Sequence, residues 1–169
     1  FVGELAGNFT MGGTLNSAFG ANALQYNTFG FDNTAAGKQA MQNNLSGYRS
    51  TAVGAYALLL HTHGSENTAV GHSALASVAT VCCNTGVGVN ALLSATGAGN
   101  TALGRGAGAL LTTGSNNIMI GNAGVVGESA TMRLGDANQT RTFIAGVRGV
   151  TPGSADGLAV IIDSSGQLG

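Results

Sequence analysis

A short block returns along most of this chain at a nearly fixed interval, and that return leaves few folds open. The blocks are Asn16-Ser-Ala-Phe-Gly20, Asn33-Thr-Ala-Ala-Gly37, Ser50-Thr-Ala-Val-Gly54, Asn67-Thr-Ala-Val-Gly71, Asn84-Thr-Gly-Val-Gly88, Asn100-Thr-Ala-Leu-Gly104 and Asn117-Ile-Met-Ile-Gly121. The interval is about 17 residues, with one step a residue shorter. A second block follows each first Gly: Ala23-Leu24, Ala40-Met41, Ala57-Leu58, Ala74-Leu75 and Ala91-Leu92. Gly30, Gly47, Gly64, Gly97 and Gly114 close most units, and Val81 stands in that place once. In the sixth unit the pair comes late, at Ala109-Leu110 behind Arg105 to Gly108, which reads as a small insertion or bulge. Such a unit is too short for two helices, and its apolar residues do not recur at helical spacing. Short β-compatible blocks punctuated by Gly and Asn fit one coil of a parallel β-solenoid, with two short strands and two turns. Seven coils stacked at the inter-strand spacing of about 4.8 Å would rise about 30 Å.

Aligned by that period, the residues sort into columns. Phe19, Ala36, Val53, Val70, Val87, Leu103 and Ile120 form an apolar column, expected to face the core. The preceding Ala18, Ala35, Ala52, Ala69 and Ala102 are small, and are expected to face something that approaches closely. The Gly column marks a backbone conformation or contact that excludes a Cβ. The Asn column suits stacked side-chain amides or turn hydrogen bonds. Ala21, Lys38, Ala55, His72, Val89, Arg105 and Asn122 vary freely and belong outside. A coil this thin leaves an apolar Ala face exposed on a single chain, and regular self-association with cyclic closure is the simplest way to cover it.

Composition agrees with a close-stacked backbone. Gly contributes 29 of 169 residues and charged residues 8%, against about 7% and about 25% in ordinary domains. The apolar fraction of 44%, mostly Ala, Val and Leu, argues against disorder. Collagen needs Gly at every third residue and abundant Pro, and this chain has one Pro. No run of about 18 apolar residues suits a transmembrane helix, so no membrane insertion is expected in this segment. A net charge of −1 gives no footprint for nucleic acid. The chain opens on Phe1 and reads as a processed or excerpted piece. Its domain plan is an N-terminal cap or docking segment over 1–15, repeat coils over 16–124, and a β-rich neck over 125–169. The neck holds Glu128, Arg133, Asp136, Arg141, Arg148, Asp156 and Asp163, over half of the charged residues. Strands are expected at Met132 to Gly135, Thr142 to Gly146 and Leu158 to Asp163, with Arg–Asp pairs between chains fixing register.

The repeated Asn-Thr-Ala-Val-Gly…Ala-Leu unit resembles the head repeats of trimeric autotransporter adhesins. It is closer still to bacterial and phage fibre proteins whose repeats precede an endosialidase-type (peptidase S74) intramolecular chaperone. The repeats match over about residues 8 to 124, and Thr142 to Gly153 with Val160 to Gly169 is similar to the stretch before that chaperone. The chaperone itself does not follow in the given sequence, and the resemblance implies that Gly169 either lies close to a mature C-terminus or is simply where the segment stops. Val81-Cys82-Cys83, in place of a Thr-Gly-rich turn, and Arg105 to Gly108 depart from the pattern. The resemblance implies an all-β, left-handed parallel β-roll assembled as an intertwined homotrimer. It implies an extracellular, non-enzymatic structural or adhesive fibre segment, on a cell surface or a phage virion tail. A cell-surface glycan or protein receptor would be its partner. The competing readings are a tail fibre or spike that degrades glycan, and a filament of end-to-end trimers in which Phe1 to Gly7 docks the next particle.

Candidate chemistry is sparse, and no cofactor is implied. Asp32 and Glu66 share a repeat position two coils apart, about 9.6 Å, near the separation used by inverting glycosidases. Arg49 lies between them in the same column, so the set reads as a solvent-facing charge ladder. His61 and His63, spaced to share one side of a strand, would on a threefold axis supply six imidazoles for a transition metal. The plainer alternative is a polar turn facing solvent, since Asn27/Phe29 and Asn44/Ser46 occupy that place in other coils. Cys82 and Cys83 read as small apolar fillers. Gly-rich runs such as Gly86-Val-Gly88 recur in every coil without the helix and Lys of a phosphate loop. The single column of Thr34, Thr51, Thr68, Thr85 and Thr101 suits stacked hydroxyls better than ice. Candidate surface-binding residues are Lys38, Tyr48, Arg49, Tyr56 and His72, with His61 and His63 exposed beside them.

Overall fold

The computed structural model describes residues 2–7 and 12–141. Its eight strands are β1 (Ser17–Phe19), β2 (Thr34–Ala36), β3 (Thr51–Val53), β4 (Thr68–Val70), β5 (Thr85–Val87), β6 (Thr101–Leu103), β7 (Ile118–Ile120) and β8 (Met132–Leu134). They form one parallel sheet in chain order, with no helix among the described residues. Each strand pairs with its like in the next unit, for example Thr51↔Thr68, Ala52↔Ala69 and Val53↔Val70. The repeat is therefore a β-solenoid of about seven coils.

Only one strand per coil is formed, where two were expected. The Ala-Leu block is a stacked turn held by hydrogen bonds to the next coil, such as Leu24 N to Ala40 O at 3.0 Å and Leu58 N to Ala74 O at 3.0 Å. Its backbone alternates in sign: Tyr56 has φ 62° and Leu58 φ 51°, and Ser73 and Leu75 repeat this at 54° and 53°. A left-handed residue costs about 1–2 kcal/mol. The inter-coil bonds and the burial of each Leu, worth about 1.5–3 kcal/mol, offset it. At the head of this turn Gly54 has φ 132°, and a Cβ there would lie 2.5 Å from Gly71 O, so the Gly column answers to both conformation and contact.

The strand faces correct the expected packing. Ala18, Ala35, Ala52 and Ala69 are wholly buried, whereas Phe19, Val53, Val70 and Leu103 are 50%, 40%, 36% and 50% exposed. In a strand, residues i and i+2 share one side, so the middle Ala points in and the Thr and Val columns point out together. The apolar face left on a single chain is thus the Val column, not Ala. Inside, Ala meets Ala23, Ala40, Ala57, Ala74 and Ala91 and the side chains of Leu24, Met41, Leu58, Leu75 and Leu92.

The sixth unit contains no insertion. Ala107 continues the Ala column, accepting from Leu92 N at 2.9 Å, and Gly108 takes the Leu place at φ 65°. Leu111 fills the space, its Cδ1 3.4 Å from where a Gly108 Cβ would be. The short step is the loss of one residue ahead of Gly97, since Thr96 pairs with Thr112 across 16 residues where Thr62 and Ala79 stand 17 apart.

The Asn column is a buried ladder. Each Asn Oδ1 accepts from the next coil's backbone N–H, and each Nδ2 donates to the carbonyl closing its own coil. Asn67 Oδ1 accepts from Asn84 N at 3.1 Å while its Nδ2 donates to Val81 O at 2.9 Å. Asn100 does the same to Asn117 N and Gly114 O at 3.0 and 2.9 Å. Ser50 replaces Asn once, and its Oγ accepts from Asn67 N at 3.2 Å.

Stacking extends past both expected boundaries. Val2 bridges to Phe19, and Gly7 N donates to Ala23 O at 2.8 Å, so residues 2–7 lie in register below β1. At the other end β8 pairs with β7 through Ile118↔Met132, a step shorter than the period, and bears out the strand expected at Met132. The strands expected at Thr142 to Gly146 and Leu158 to Asp163 lie outside the described residues.

Candidate functional site

Three features face outward: the strand face, a turn carrying aromatic and charged groups, and the varied column after each Gly. On the strand face the Val column runs beside the Thr column through every coil from β2 to β6. Ala36 and Val87 are half-buried within it, between more exposed neighbours. This face carries no charge between Ser17 and Ile120.

The surface candidates fall into two groups. Lys38 Nζ sits 5.7 Å above the Tyr56 ring, which meets His72 edge-on at 5.4 Å. His72 Nδ1 is also 3.0 Å from Ser73 Oγ. In the second group Tyr48 stacks on Phe31, the centroids 5.0 Å apart and the planes within 2°. Arg49 lies 5.7 Å from the Tyr48 centroid and 3.8 Å from Glu66 Oε1. Asp32, Arg49 and Glu66 are all exposed, as the ladder reading expected. Glu66 thus has the Arg49 guanidinium at its side. Phe31 was missed as a member of this group, although its place one period before Tyr48 was the signal.

The two histidines part company. His61 is wholly buried, while His63 is exposed. His61 Nδ1 is 3.1 Å from Asn44 Oδ1, and its Nε2 is 3.2 Å from Asn67 Nδ2. The amide oxygen needs a donor and the amide nitrogen an acceptor, so the proton sits on Nδ1. Both ring nitrogens are committed inside the coil. Burial, with a smaller push from His63, lowers the His61 pKa to about 4. The shared side that the metal reading required is absent, and the turn faces solvent only at its second position: Phe29 and His63 are exposed, while Asn27, Asn44 and His61 are buried. Among the described residues no group of three His, Cys, Asp or Glu side chains could hold a metal.

Cys82 and Cys83 are not core fillers: both are free thiols, Cys82 half-buried and Cys83 exposed. Arg133 finds its partner within its own chain, its Nη2 2.9 Å and its Nε 2.9 Å from Glu128 Oε2. Burial alone would raise the Glu128 carboxyl. Arg133 and the Val125 N–H outweigh it and hold the group below the usual range.

No protein-family model, curated protein or solved structure matches this chain.

Proposed function

We propose that this chain is a structural and adhesive segment of an extracellular trimeric fibre, on a bacterial surface or a phage-like tail, built from left-handed rolls around a threefold axis. The observation that carries this reading is the uncharged Thr and Val face, exposed or half-buried in each strand from β1 to β7. An extended apolar surface of this regularity calls for a partner. A second copy of the same face supplies one with matching repeat, and cyclic closure leaves no copy uncovered. Stacked backbone bonds and the buried Asn ladder suit a stiff rod that resists proteases. Attachment to a surface glycan or protein would then fall to the groups pointing away from the axis, Lys38 with Tyr56 and His72, and Tyr48 with Arg49.

Replacing Val53 and Val70 together by Asp tests the reading. Both side chains point out of the coil, so circular dichroism should be unchanged. Sedimentation should show a trimer for the parent chain and a monomer for the double variant. A variant that assembles like the parent would contradict the proposal.

A further inference from the structure

The turn carrying Cys82 and Cys83 aims two free thiols at one another. Cys83 Sγ lies 2.8 Å from Cys82 Sγ and donates to it. Successive side chains in an extended chain point to opposite sides. Here the turn defeats that, because Cys83 sits at φ 66°. The cysteines do not cause this conformation. The same position is left-handed in other coils, with Asp32 at 55°, Arg49 at 51°, Glu66 at 56° and Asn116 at 59°. Neighbouring coils hold the turn through Cys83 N to Ser65 O at 3.1 Å and Asn84 N to Asn67 Oδ1 at 3.1 Å. The next coil brings only Ala98 and Gly99 to these columns, so no long side chain from that coil covers the sulfurs.

We infer that Cys82 and Cys83 form a modification site, a dithiol that small-molecule disulfides close into a bond between the two neighbours. The hydrogen bond to Cys82, with lesser contributions from desolvation and the nearby Glu66 carboxylate, pushes the Cys83 thiol up to about 11. Cys82 Sγ, the acceptor of that hydrogen bond, enters first. Cys82 loses its proton to solvent, and its thiolate attacks one sulfur of a disulfide RSSR, expelling RS⁻. Cys83 then gives its proton to that RS⁻ and attacks Cys82 Sγ, expelling a second RS⁻, which takes a proton from solvent. One RSSR is reduced to two RSH while two thiols become one disulfide. Neighbouring Cα atoms across a trans peptide are about 3.8 Å apart, short of the usual span, so the ring is strained and readily reduced again.

The test treats the native chain with excess 5,5′-dithiobis(2-nitrobenzoate). Two thionitrobenzoates should be released per chain, and the intact mass should fall by two hydrogens with no adduct kept. Dithiothreitol should restore the starting mass. Cys82→Ser and Cys83→Ser should each release one thionitrobenzoate and keep one adduct. Retained adducts on the parent chain, covalent dimers on a non-reducing gel, or no reaction would overturn the inference.

Discussion

His61 shows what a single position can hide. Its column runs Asn27, Asn44, His61, Val78, Ala95 and Leu111, all wholly buried. The mixture of polar and apolar types reads as a solvent-facing turn, because burial here follows from the coil's closure and not from hydrophobicity. The hydrogen bonds to Asn44 and Asn67 that make His61 fit come from one coil below and from six residues along the chain. The unfolded chain takes up a proton at His61 below about 6.5, and the folded chain only below about 4. Folding stability should therefore be insensitive to His61 above pH 6.5 and fall as the pH drops towards 4, by up to about 3 kcal/mol. Urea unfolding across that range checks it. His61→Asn, copying Asn44 beneath it, should flatten the fall. An unchanged slope in that variant would place the titration elsewhere.

At the scale of the coil, the period, the columns and the outward place of the varied column after each Gly are legible in the residues, while the inward and outward sense of the strand columns is not. The Val column is the more apolar one, and hydrophobicity alone sends it to the core. Sterics decide otherwise. The Ala-Leu turn closes so near the strand that only Ala, or Gly at Gly86, fits the inner place in β2 to β6, and the larger Val is left outside. The Gly and Asn columns were readable because each performs one task that few side chains can. The Asn ladder also makes a sharp prediction. Asn67→Ala strips the acceptor from Asn84 N–H and the donor from Val81 O, and frees the His61 Nε2 lone pair. Leaving buried polar groups unpaired should cost about 2–3 kcal/mol, read from the urea midpoint. A loss below about 0.5 kcal/mol would mean that water or a neighbour replaces the amide.

At the scale of the molecule, each strand among the described residues pairs with its neighbours in chain order, so stability accumulates coil by coil as in other solenoids. A stack of this kind has little interior. The strand face is a regular apolar surface running along it, and the threefold assembly proposed for that face is the claim on which the functional reading rests. The first measurement to make is the solution mass of the native particle, by light scattering after gel filtration. Three copies of the 16.6 kDa chain, about 50 kDa, is the predicted result. A stable particle of one chain would contradict the account, because the Thr and Val face would then stand in water without a partner.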